Sequence, residues 1–99
     1  MEVSWSSLAK AQLDDIIDYY ELNASPKVAR RLFETLVDAA DRLINFPYLG
    51  KMAEANPIYR ILVEGNYLII YSIEEDYIRI AFLFDSRQDS GSLLAFLTP

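Results

Sequence analysis

The chain has 99 residues, of which 53% are hydrophobic and 24% charged, with a formal net charge of −6. This composition is that of a folded protein with one core and excludes disorder. It has no Cys and no His, which removes disulfides, thiolate chemistry, Cys or His metal sites and the commonest general base. The acidic balance argues against nucleic acid as the direct ligand, because phosphate neutralisation needs a basic surface.

Met1 to Trp5 lacks the basic start and long apolar run of a secretion signal, and no stretch reaches the roughly 18 apolar residues of a membrane span. A cytoplasmic bacterial protein without membrane contact is expected. Val3-Ser4-Trp5 reads as a short strand that can join a sheet formed by the far end of the chain. Ser6 or Ser7 then caps a helix whose apolar positions are Leu13, Ile16, Ile17 and Tyr20, ending near Asn23. Asp14, Asp15, Asp18 and Glu21 lie mostly on its other side and read as a solvated acidic face. A metal site would need further oxygen ligands from other elements, so neither metal nor cofactor is expected.

Ser25-Pro26 opens a second helix with a hydroxyl cap and Pro in the first turn. Ala29, Leu32, Phe33, Leu36, Val37, Ala40, Leu43 and Ile44 form its apolar stripe, and Pro47 ends it. The link Leu22-Asn23-Ala24 is short, so the two helices are expected to run antiparallel. Tyr48 to Pro57 reads as a loop. Three strands follow as a meander: Tyr59–Glu64, Tyr67–Ile73 and Tyr77–Phe84. Gly65-Asn66 makes the first tight turn and Glu74-Glu75-Asp76 the second. Residues 93–97 are apolar and fit a last strand or a helical turn.

The order β-α-α-β-β-β predicts one α+β domain over residues 1–99, with the helices packed on one face of the sheet. Arg60 and Arg79 interrupt apolar strands and must face solvent or find a partner. Both are expected on the face that the helices leave open, with Arg87 just past the last strand. Together with Lys51, Tyr67 and Tyr71 they are the candidate binding residues. They form either ion pairs with nearby carboxylates or a small cationic site for an acidic partner or a phosphate.

Trp5, Ala9, Leu13, Ile16, Tyr20, Ser25-Pro26, Ala29, Leu43, Phe46-Pro47, Gly50, Arg60, Tyr67, Tyr71 and Arg87-Gln88-Asp89 follow one another in an order and spacing that resembles the RelE/ParE superfamily of toxins from type II toxin–antitoxin systems. The ParE branch is the nearer. The resemblance implies a toxin neutralised by a cognate antitoxin, in a hetero-oligomer with it, and acting on DNA gyrase without being an enzyme. The alternatives it implies are a ribosome-dependent messenger endoribonuclease of the RelE type, or a degenerate member that only binds an antitoxin. In RelE-like members basic residues and a Tyr or His near the end of the sheet act on a ribose hydroxyl. Arg60 and Arg87 match positions where the family carries Arg, and Asp85 stands where active ribonucleases often have His. Arg60, Arg79, Arg87, Lys51, Tyr67 and Tyr71 are therefore expected to contact target or antitoxin, none of them catalytically. A sheet face or edge left uncovered would seat the antitoxin segment.

Overall fold

The computed structural model describes residues 1–99. The elements are β1 (Glu2–Trp5), α1 (Ser7–Asn23), α2 (Pro26–Asp41), a 3-10 turn (Arg42–Ile44), β2 (Lys51–Met52), β3 (Arg60–Glu64), β4 (Tyr67–Ile73), β5 (Tyr77–Asp85) and α3 (Gly91–Leu97). All five strands form one sheet in the order β1-β5-β4-β3-β2. The meander is antiparallel, and β1 joins its β5 edge in parallel, with Val3 opposite Ile78 and Trp5 opposite Ile80.

Local chemistry accounts for the element ends. The Ser6 hydroxyl accepts from Ala9 N–H at 3.0 Å and donates to the Ala81 carbonyl at 3.1 Å, so one side chain caps α1 and ties its start to β5. Ser25 caps α2 by accepting from Val28 N–H at 3.1 Å, and Pro26 costs nothing where no amide is needed. At the β3–β4 hairpin Gly65 has φ +59 and Asn66 does not share it, the pattern of a II′ turn with Gly in the first central position.

The sheet separates two apolar layers. On one face Leu62, Ile69, Tyr71, Ile78 and Ile80 pack with Ala9 and Leu13 of α1 and Leu36, Ala39 and Ala40 of α2. On the other, Ile70, Phe82 and Phe84 pack with Leu93 and Leu97 of α3, with Phe96 and Tyr59 alongside. Residues 93–97 thus form a helix, not a strand. The helical hairpin covers one face as expected, and α3 adds cover on the second. The loop expected from Tyr48 to Pro57 also contains the two-residue edge strand β2.

Two expectations are corrected. Phe33, placed in the buried stripe of α2, is 42% exposed, whereas Leu36 is fully buried. The fully buried stripe of α2 is narrower than the spacing suggested, comprising Ala29, Leu36, Ala39 and Ala40, with Leu32 and Val37 half-buried beside it. Arg60 does not project from the open face. Side chains alternate along β3, so Arg60 shares the face of Leu62, and it sits opposite Tyr71 beyond the end of the helical hairpin. Arg79, offset by one from the buried Ile78 and Ile80, does stand on the other face, opposite Ser72.

Candidate functional site

Four of the six candidate residues gather in two groups along β4, Arg87 with Tyr67 and Arg60 with Tyr71. At its start Tyr67 pairs with Asp85, the last residue of β5. The chain then turns at Ser86, whose backbone N–H donates to the Asn66 carbonyl at 2.7 Å, and this turn brings Arg87 back over the strand ends. The Arg87 guanidinium donates through Nε to Asp85 Oδ1 at 2.9 Å and through Nη2 to Asp85 Oδ2 at 2.8 Å. The same Nη2 lies 3.1 Å from the Tyr20 hydroxyl and 3.3 Å from the Tyr67 hydroxyl, with the guanidinium carbon 5.9 Å from the centre of the Tyr67 ring. Tyr20 arrives from α1 because it is the last apolar position of the stripe that seats that helix on the sheet.

The electrostatics of the four side chains follow from these bonds. Two forked bonds from Arg87 hold the Asp85 carboxyl below the usual carboxylate range. The Tyr20 hydroxyl accepts from Arg87 and from Tyr67, which favours its ionised form and lowers its pKa. Tyr67 moves the opposite way: burial, and the need to keep the proton it donates to Tyr20, raise it. Arg87 is held firmly cationic by Asp85 and Tyr20.

These groups rim a cleft of about 610 Å³ between α1 and the end of β5. Ile16 and Leu83 contribute to its floor. Gln12 closes the free edge of β5 by accepting the Leu83 backbone N–H at 2.7 Å. The charged residues lining the cleft are Asp15, Asp85, Arg87 and Asp89, so one cation faces three carboxylates. No group of three or more acidic side chains converges in metal-binding geometry anywhere in the chain.

The second grouping lies at the other end of the same strand face, four residues on and so about 13 Å away. Tyr71 donates its hydroxyl to the Pro47 carbonyl at 2.6 Å and accepts the Gly50 backbone N–H at 2.9 Å. Burial raises the pKa of this phenol. Arg60 donates to the Gly50 carbonyl at 2.6 Å and lies 4.9 Å from the centre of the Tyr48 ring. A side chain at position 50 would meet the Ile61 carbonyl oxygen and the Tyr71 ring, both at 2.8 Å, so only glycine fits there.

The single cationic site considered for the open face is therefore absent. Arg87 joins Tyr67, Arg60 joins Tyr71, and Lys51 and Arg79 stand apart, neither in an ion pair; the two ion pairs present are Arg42–Glu64 and Arg87–Asp85. Tyr20 and Asp85 were not among the candidate binding residues. The signal that could have found Asp85 was its place two residues before Arg87 at a strand exit. Tyr20 looked like a core position because it ends an apolar stripe.

A family model described as the ParE toxin of type II toxin–antitoxin system, parDE, matches residues 3–90. The chain belongs to the ParE toxin family. The match runs from β1 through Arg87 and stops just before α3, so both groupings on β4 lie within the ParE-like part and the helix on the second face does not. The fold is similar to that of a chain of the chromosomal ParDE TA system from P. aeruginosa, with a TM-score of 0.76 and 22% sequence identity, covering 86% of this chain and 95% of that one. A search of curated proteins found no match. No helix of this ParE-family chain is long and apolar enough to cross a membrane.

Proposed function

We propose that this chain is a non-enzymatic toxin that acts in the bacterial cytoplasm by binding protein, with DNA gyrase as its target and a cognate antitoxin as its inhibitor. Residues 1–99 work as one domain in this reading. The observation that carries it is the charge of the cleft: one arginine, already engaged by Asp85, among three carboxylates. A phosphodiester backbone is repelled from such a cleft, and cleavage at a ribose hydroxyl needs a base titrating near neutral pH together with free cations for the developing phosphorane charge. Tyr67 is shifted away from that role, and Arg87 is not free. A protein segment offering amide or cationic groups finds acceptors there in Tyr20, Asp15, Asp85 and Asp89. Arg87 contributes by holding the phenols in place, and Arg60 by holding the loop at the other end of β4.

The test is induced expression with and without the antitoxin, combined with a supercoiling assay on purified gyrase. Loss of supercoiling with a DNA-damage response, relieved by the antitoxin and weakened by Arg87→Ala, is the expected result. Codon-specific cuts in messenger RNA on translating ribosomes would replace this reading with the ribonuclease one. Unaffected growth and unaffected gyrase, with antitoxin binding intact, would leave only an antitoxin-binding module.

A further inference from the structure

The chain has seven tyrosines, and the hydroxyl of one is set apart by what surrounds it. The Tyr20 oxygen accepts from Arg87 Nη2 at 3.1 Å and from the Tyr67 hydroxyl at 3.4 Å, and donates to no protein group. Tyr67 receives a longer bond from the same Arg87 nitrogen, but it is buried and gives its proton to Tyr20. Tyr19 and Tyr48 are more open, at 60% and 70% exposure, yet no arginine donates to their hydroxyls. Tyr20 is half-buried and lines the cleft, so its oxygen is both supported from within the protein and reachable from outside. Asp85 fixes the Arg87 guanidinium by two forked bonds. The carboxylate works against a negative charge on Tyr20, but the bonds from Arg87 and Tyr67 outweigh it and lower the pKa of the phenol. A phenol whose anion already has two donors in place is a preorganised nucleophile.

The rest of the cleft selects the reagent. Asp15 and Asp89 line it and repel an anionic donor, such as an acyl phosphate or a nucleoside triphosphate. A neutral carbonyl compound meets no such barrier, and Ile16 and Leu83 give its carbon skeleton an apolar floor. We propose that the Tyr20 oxygen is a site of covalent acylation, taking its acyl group from a neutral activated donor. The oxygen attacks the carbonyl carbon of the donor. The new carbon–oxygen bond forms as the bond to the leaving group breaks, and the phenolic proton passes through water to that leaving group. The products are an aryl ester at Tyr20 and the protonated leaving group. The ester oxygen is a poor acceptor, so Arg87 and Tyr67 lose the group they share, and the acyl group occupies the cleft. Acylation therefore closes the cleft to any partner. The assignment holds whichever partner the cleft takes.

The experiment treats the full chain with N-acetylimidazole, whose leaving group is imidazole, and follows each tyrosine by peptide mass spectrometry. Reversal by hydroxylamine separates tyrosine esters from lysine amides. Acetyl phosphate, which carries the same acyl group on an anionic donor, is the parallel reagent. The expected result is that Tyr20 reacts at least about threefold faster than Tyr19 and Tyr48. It should also react faster in the folded chain than in the urea-unfolded one, where all seven phenols are equivalent and burial hinders none of them. Arg87→Ala should slow Tyr20 to about its unfolded rate while Tyr48, at the other end of β4, keeps its own and so reports an intact fold. Tyr67→Phe, which keeps the buried ring, should slow Tyr20 by a smaller factor. The proposal is overturned if Tyr20 reacts no faster than Tyr19 or than its unfolded self, or if both variants react at the parent rate. It is equally overturned if acetyl phosphate labels Tyr20 as fast as the neutral donor does.

Discussion

Tyr71→Phe removes one oxygen atom from a fully buried side chain and leaves the ring in place. Two hydrogen bonds go with it, from Gly50 N–H and to the Pro47 carbonyl. The Gly50 amide is the expensive one: it is buried, and a buried unsatisfied donor costs about 1–3 kcal/mol. The Pro47 carbonyl is half-buried and can turn to water, so its bond contributes about 0.5–1.5 kcal/mol. The sum is about 1.5–4.5 kcal/mol, and because the phenol no longer has to be desolvated the expected loss lies in the middle of that range, about 2–3 kcal/mol. For a chain of this size that corresponds to a fall of roughly 10–20 °C in melting temperature. The measurement is urea unfolding of both proteins, with amide exchange at Gly50 read separately. Exchange there should quicken more than in β4, because the loop opens before the sheet does. The alkaline side gives a second check. Burial raises the Tyr71 pKa above its ordinary value of 10.0, so its contribution is complete below that value and is lost as pH climbs through the higher folded one. The parent therefore loses stability above about pH 10 more steeply than the variant. A Tyr71→Phe protein within about 0.5 kcal/mol of the parent, the ordinary spread of surface substitutions, with unchanged exchange at Gly50, would refute the account of the loop.

Leu36→Ala should cost about 2–5 kcal/mol in urea unfolding, because Leu36 is fully buried between hairpin and sheet, while Phe33→Ala one turn away should cost under about 1 kcal/mol. Gly50→Ala should destabilise by about 1–3 kcal/mol, since its methyl would meet the Ile61 backbone; equal melting temperatures would show that the strand yields. For Asp85 the folded pKa is lowered, so its contribution is present above the ordinary value of 3.8 and lost as pH falls through the still lower folded one. Asp85→Asn should therefore flatten the acid limb of the stability profile, and an unchanged limb would mean that Arg87 does not engage Asp85 in solution.

Much of this architecture was legible because the pattern repeats. The α2 stripe, the Ser25-Pro26 start and the alternation through β4 each rest on several residues that agree. What was missed rests on one or two. Lys51-Met52 is too short to alternate, so β2 exists only because β3 offers it an edge. Leu93 to Leu97 has five residues with no period to decide between strand and helix; the Phe82 and Phe84 face decides it. Arg60 could have been placed from Leu62 by period 2, but a charge in an apolar strand was assumed to seek the open face. It instead finds a carbonyl and an aromatic ring where the helical hairpin ends. The Tyr20–Arg87 contact spans 67 positions, and no local pattern encodes such a meeting.

The parallel pairing of β1 with β5 has a consequence for how the molecule is made. Ser6 is 75 positions from Ala81, whose carbonyl it binds, and the strand before it is made well ahead of β5. It must wait for nearly all of the chain before it has a partner. Closing so long a loop is entropically costly, and contacts of this kind form late. The helical hairpin therefore emerges with its sheet-facing side, Leu13 and Leu36 included, uncovered, and the ParE fold is completed only when β5 arrives. The Tyr20–Arg87–Tyr67 grouping thus cannot assemble before β5 and the turn after it have been made.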